Sequence, residues 1–190
     1  MKFSTLRRFL KYHAGSDEAL DRHYVRLSHD KDVNAEPLFW LQYAIMMKTF
    51  GDLPKARLFL NAGYKRASEI DKFKTFQLDT QALSIYLLEE IERRDPTVEG
   101  LEEILNSIRS VANMIADESH RYHAIEVIGE VPAFIDARRW ALKDSEKIAV
   151  VFELNRASQA LATLSLEDQI YSGSELVRNR IETAVASLVG

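Results

Sequence analysis

Apolar positions from Pro37 to Ala67 recur at helical intervals, interrupted once at Gly51-Asp52. Before the break, Leu38, Leu41, Ile45 and the run Met47 to Phe50 form the buried stripe of a helix. Pro37 suits its first turn, where a missing N–H costs no hydrogen bond. Gly51 can take the left-handed conformation that closes a helix, and Asp52 can cap the next. Pro54 again falls in a first turn. Ala56, Leu60, Gly63 and Ala67 then line one face with small side chains, spaced four, three and four. With Ala44 opposite, that face predicts two antiparallel helices in close approach.

The same periodicity extends in both directions. Ser4 to His13 reads as a short helix with Leu6, Phe9 and Leu10 inward and Arg7, Arg8 and Lys11 outward. Gly15 ends it, and Ser16-Asp17-Glu18 starts a helix burying Leu20, Tyr24 and Leu27. A polar run, His29 to Asn34, links to the central pair. Beyond Phe73 a long helix carries Phe76, Leu83, Tyr86, Leu87 and Ile91, and Asp95-Pro96 stops it. The next helix has the stripe Leu101, Ile104, Leu105, Ile108, Val111 and Ile115. Another begins near His120, with Ile125, Ile128, Phe134, Ile135 and Trp140 apolar and a break expected after Gly129 because of Pro132. Lys143-Asp144 restarts the chain into a helix with Ile148, Val151, Phe152 and Leu161. Ser165 caps the last segment, which Gly173-Ser174 can split, and Val177, Ile181, Ala184 and Leu188 end it as one stripe.

That makes about nine helices and no convincing strand. Short links favour antiparallel pairs, and stacked pairs form an α-solenoid. The expectation is one all-α domain over 1–190: an N-terminal helical hairpin at 1–33, the best-formed unit at 34–69, and looser pairs at 70–190.

The central unit resembles a tetratricopeptide repeat. Trp40, Ala44 and Ala56 fall in register with that pattern, and Gly51-Asp52 matches its turn. Met47, Leu60 and Ser68 depart from the usual Tyr, Phe and Pro. The longer pairs elsewhere make the chain TPR-like, and Trp40 and Tyr43 are read as packing between helices. Repeats that clamp a C-terminal carboxylate carry Lys and Asn where this chain has Leu41, Gln42 and Ile45. The inner face is apolar and should meet other helices or an apolar partner segment.

A second resemblance covers most of the chain. Phe3-Ser-Thr-Leu-Arg-Arg-Phe-Leu10, Glu36-Pro-Leu-Phe-Trp-Leu-Gln-Tyr-Ala44 and Phe76-Gln-Leu-Asp-Thr-Gln-Ala82 look like the helical C-terminal region of large bacterial anti-phage defence proteins. Those proteins carry a sirtuin-like or P-loop NTPase domain upstream, which is not expected here. The matching motifs form core and catalyse nothing. The resemblance implies a sensor, scaffold or oligomerisation module, with the chemistry in another domain or chain.

Composition sharpens this picture by exclusion. With 46% apolar and 28% charged residues in 190, the chain can build a real core. Only 7 Gly and 4 Pro, and no Asn-Gly or Asp-Gly pair, argue against hairpins. The absence of Cys removes disulfides, thiolate metal sites and a cysteine nucleophile. Met1 to Leu10 is basic but lacks a signal peptide's apolar core, and no span suits a membrane, so the cytoplasm is the default. A net charge of −4 gives no broad case for nucleic acid. Residues 1–95 carry 16 basic and 14 acidic groups, and 96–190 carry 9 and 15, a mild asymmetry.

Candidate chemistry is sparse. There is no Gly-rich phosphate loop and no Gly-x-Ser-x-Gly elbow. His120 and His123 share a helix face, with Glu118 or Glu126 near, yet a metal needs three or four ligands. They are read as a helix-end histidine and a surface one. Glu89, Glu90, Glu92 and Asp95 point around a helix and are read as a solvated face. Lys48, Lys55, Arg57, Lys65, Arg66, Lys72 and Lys74 surround the central pair and offer a nucleic-acid edge, interspersed with Asp52, Glu69, Asp71 and Asp79.

The expected function is therefore a non-catalytic protein–protein interaction module, with no cofactor and no metal. A nucleic-acid-binding module and an enzyme with a non-motif site are the alternatives. Phe3, Leu6, Phe9 and Leu10 crowd a short first helix and are the candidate interaction surface, for a second copy or a separate enzymatic chain. Trp40, Ala44, Gly51, Asp52, Ala56 and Gly63 are the structural turn and packing residues.

Overall fold

The computed structural model describes residues 16–93, 98, 100–116 and 121–190. The described residues are helical with no strand. None of their helices is long and apolar enough to cross a membrane. The chain divides into two compact units, Met1–Gln81 and Ala82–Gly190.

The first unit holds α1 (Asp17–Ser28), α2 (Lys31–Ala35), α3 (Pro37–Thr49), α4 (Leu53–Ser68) and the start of α5 (Phe76–Glu92). Ser16 Oγ accepts the Ala19 N–H at 3.2 Å, and Asp17 and Glu18 follow in the first turn. Those charges favour the positive helix end. The polar run expected as a link is partly helical. Asp30 accepts the N–H groups of Asp32 and Val33, and this local capping is enough to nucleate α2. Glu36 then takes the extended conformation that a following proline requires.

The turn between α3 and α4 is built from two residues with different tasks. Gly51 has φ +78°, and its N–H bonds to the Lys48 carbonyl at 3.1 Å. The Asp52 N–H bonds to the Met47 carbonyl at 3.0 Å, closing a Schellman motif. The Asp52 carboxylate accepts the Lys55 N–H at the start of α4. Ala44, Ala56 and Leu60 are fully buried, and Gly63 lies against the Pro37 carbonyl and Trp40 Cβ. Tyr43 stacks on Phe59 with ring centroids 3.8 Å apart, so α3 and α4 run antiparallel. Tyr24, Phe39 and Trp40 complete one aromatic layer joining α1, α3 and α4.

The second unit contains α6 (Leu101–Ala116), α7 (Arg121–Ile128), α8 (Val131–Arg138), a 3₁₀ turn (Arg139–Ala141), α9 (Asp144–Ala162), α10 (Leu166–Ser172) and α11 (Ser174–Val189). α9 packs on α6 and α11, α6 also meets α7, and α8 meets α11. Ile104, Ile108, Val111 and Ile115 of α6 face Val150, Leu154, Ala157 and Leu161 of α9 in this core, and all eight are buried. The chain breaks between Ile128 and Val131, with Pro132 in the first turn of α8. Val177 of α11 lies 3.4 Å from where a Gly129 Cβ would stand. Ile181, Ala184 and Leu188 bury the inner side of α11, and Val177 is half-buried.

Three expectations fail in this unit. Of the stripe expected on α9, Leu161 is buried, but Ile148 is 70% and Phe152 66% exposed and Val151 is only half-buried. The helix is instead turned so that Glu153 is buried, where it accepts the Arg109 Nε at 2.9 Å and a second bond from Nη2. Trp140 is 63% exposed, with the Arg138 guanidinium over its ring. The acidic run near the end of α5 is not all solvated either. Glu90 is buried, accepts the Gly100 N–H and pairs with Arg93. Asp95 lies outside the described residues.

Candidate functional site

The candidate interaction residues Phe3, Leu6, Phe9 and Leu10 lie outside the described residues. The packing residues come together around one helix pair. Trp40 and Gly63 touch across it, Ala44 and Ala56 are fully buried, and Gly51 and Asp52 close its turn. Trp40 is also anchored outward. Its indole N–H donates to the Asn34 carbonyl at 2.8 Å, which accepts the Arg66 Nε as well. Asn34 Oδ1 takes a second Arg66 bond, while its side-chain amide donates to the Ser28 carbonyl. The capped α2 thus places Asn34 as a hub, a role that one polar residue in a polar run does not announce.

This hub changes the basic edge. Arg66 is committed to Asn34 and Glu69, Lys48 donates to Gln81, and Lys55 pairs with Asp52. Lys65, Lys72 and Lys74 remain exposed. A phosphate-binding row therefore loses Lys48, Lys55 and Arg66 to internal bonds.

Tyr43 has a strongly displaced titration. Burial, then the hydrogen bond from its hydroxyl to Asp21 at 2.7 Å, push its pKa well above the ordinary tyrosine range. Tyr43 holds α3 to α1.

The second unit presents apolar side chains outward. On α9 these are Ile148 and Phe152. On α10 they are Leu166, Ile170 and Tyr171, exposed by 73%, 75% and 80%, and no residue of α10 is buried. Half-exposed Tyr122 of α7 adjoins them, its ring 5.4 Å from that of Tyr171. What fastens α10 is polar. Asp168 Oδ2 accepts from Arg121 Nη1 and from Ser165 Oγ, both at 2.8 Å, and Oδ1 accepts from the Tyr122 hydroxyl at 3.1 Å. The Ser165 bond, against a smaller opposing effect of burial, helps hold the Asp168 carboxyl below the usual carboxylate range. The hydrogen bond that the Tyr122 hydroxyl donates to Asp168 raises the Tyr122 phenol. A seven-residue helix with Leu166 and Ile170 four apart carried a sequence signal for this patch, but its capping residues drew the reading instead.

An open cleft of about 250 Å³ lies between α8 and α11, lined by Pro132, Asp136, Asn179, Arg180, Thr183 and Ala184. Asp136 and Arg180 are solvent-exposed there. His123 meets Glu126 at 3.5 Å, and His120 is outside the described residues. Among the described residues, no three His, Asp or Glu side chains are gathered as metal ligands. No family model, no curated protein and no solved structure matches this chain.

Proposed function

We propose that the chain is a non-catalytic helical-repeat module for protein–protein interaction. In this reading its helix pairs stack in the TPR-like manner of an α-solenoid. The observation that carries it is the set of large apolar side chains on α9 and α10, most of their surface in water. Isolated exposed apolar residues are ordinary, but a helix with no buried residue and three exposed apolar ones is suited to a partner. The resemblance to helical regions of bacterial anti-phage defence proteins supports reading the module as a sensor or scaffold. Docking then runs through the first hairpin, Met1 to His29, to a second copy or an enzymatic chain. The nucleic-acid alternative keeps Lys65, Lys72 and Lys74, and salt-dependent oligonucleotide binding would favour it.

The test is sedimentation velocity across a concentration series, with circular dichroism alongside. The wild type is expected to assemble as concentration rises. Phe9→Glu should dissociate that assembly with helix content nearly intact. A wild type that stays monomeric at high concentration and captures nothing from its host would overturn the reading. A Phe9→Glu chain that unfolds would make Phe9 core.

A further inference from the structure

The patch on α10 has a charge character as well as an apolar one. Between Arg156 and Arg178 the sequence has no Lys or Arg, but it has Glu167, Asp168 and Glu175. Asp168 is engaged by Arg121. Glu167 and Glu175 are exposed and lack an ion pair among the described residues. Leu166, Ile170 and Tyr171, continued by Tyr122, therefore form an exposed apolar strip, with Glu167 in the same helix and Glu175 in the first turn of the helix that follows it in sequence.

A complementary segment exists in the same sequence. Residues 2–11 place Phe3, Leu6, Phe9 and Leu10 among Lys2, Arg7, Arg8 and Lys11, with no acidic residue. Apolar positions at helical spacing with cations beside them are what an apolar strip in an acidic stretch of chain selects. We infer that residues 2–11 of one copy dock on the α10–Tyr122 surface of a second copy. The inference rests on the proposed docking role of the N-terminal segment and supplies the surface that receives it. Donor and acceptor are different surfaces, so the contact is heterologous and head-to-tail. Assembly then does not stop at an isologous dimer: copies add until a ring closes or a chain grows.

Complementation tests this directly. Phe9→Glu spoils the donor and leaves the acceptor intact; Ile170→Glu does the reverse at a side chain already 75% exposed. Each full-length variant alone should associate more weakly than wild type by about tenfold or more, since each removes a central apolar anchor. Their equimolar mixture should form a heterodimer that neither variant forms alone, read by native mass spectrometry or sedimentation. Arg8→Glu provides an arm that leaves the apolar face alone: it should weaken association, and Glu167→Lys in the same chain should restore it. Added salt should weaken the wild-type assembly.

Ile170→Glu assembling as strongly as wild type, or a mixture that fails to complement, would overturn the inference. If Phe9→Glu still dissociates the assembly in that case, the N-terminal docking role stands and only the receiving surface is wrong. A wild type that never associates removes both. An N-terminal segment that covers α10 within its own copy would appear as a monomer at every concentration and would also overturn it.

Discussion

Gly63→Ala adds one methyl where α3, α4 and α5 meet in the first unit. A Cβ there would stand 2.9 Å from Leu78 Cδ2, 3.3 Å from the Pro37 carbonyl oxygen and 3.5 Å from Trp40 Cβ. The Leu78 methyl must move, yet Leu78 is fully buried, and the Pro37 oxygen belongs to the backbone. Overpacking of this kind costs about 1–3 kcal/mol. Against it stands the helix preference of Ala over Gly, about 0.8–1 kcal/mol. The net expectation is a loss of about 1 kcal/mol, smaller than a cavity mutation but opposite in sign to an ordinary helical Gly→Ala. Urea titration followed by Trp40 fluorescence, in a Trp140→Phe background, reads the first unit. Asn61→Ala, exposed on the same helix, is the control and should be neutral or slightly stabilising. Combining Gly63→Ala with Leu78→Val should cost less than the sum of the two by about 0.5 kcal/mol or more, because the new methyl occupies the vacated space. A Gly63→Ala chain more stable than wild type, or strict additivity with Leu78→Val, would refute the packing argument.

Ala56→Leu should cost about 1–3 kcal/mol through overpacking at a fully buried site, and unchanged thermal stability would mean that this face tolerates bulk. Tyr43→Phe should lose about 1 kcal/mol with the Asp21 hydrogen bond. Because folding raises the Tyr43 pKa, its contribution is complete below the ordinary tyrosine range and fades as pH climbs above it; ultraviolet titration should show one fewer late-ionising phenol in Tyr43→Phe than in wild type, Tyr122 remaining raised in both. Asp168 has the opposite sign: its folded pKa is depressed, so the fastening of α10 is complete above the ordinary carboxylate range and lost as pH falls below that range through the lowered folded value. Near-ultraviolet dichroism of Tyr122 and Tyr171 should follow that acid transition, and Asp168→Asn should abolish it.

Helix ends were legible where they rest on local chemistry. Ser16, Asp52, Ser165, Pro37, Pro54 and Pro132 act within a turn of their own positions, and so does the left-handed Gly173. α2 was missed because a polar run shows no apolar period, and its start depends on one aspartate side chain. The facing of α9 was misjudged for a different reason. Large side chains suggested Ile148 and Phe152, but burial followed Val150, Leu154, Ala157 and Leu161, with Glu153 made tolerable by Arg109 forty-four residues earlier. A charge partner that distant has no local trace. Glu90 was misread likewise, since its partner Gly100 stands ten residues on. The α10 patch needed the knowledge that Asp168 is spent on Arg121 and Tyr122, which again is a tertiary fact.

The glycines that end α3 and α10 separate chirality from size. Gly51 at φ +78° and Gly173 at φ +66° both face open space where a Cβ would stand. Bulk is therefore permitted at either point, while the L configuration is strained by about 1–2 kcal/mol. A chemically made chain with D-alanine at position 51 or 173 should fold unchanged. It should also gain about 0.4–1 kcal/mol at each site, because the mirror-image residue already favours that dihedral and narrows the unfolded ensemble. L-alanine at the same positions, alike in volume, should destabilise. Each helix stop is in effect a stereochemical signal, written in the one amino acid that has no handedness of its own.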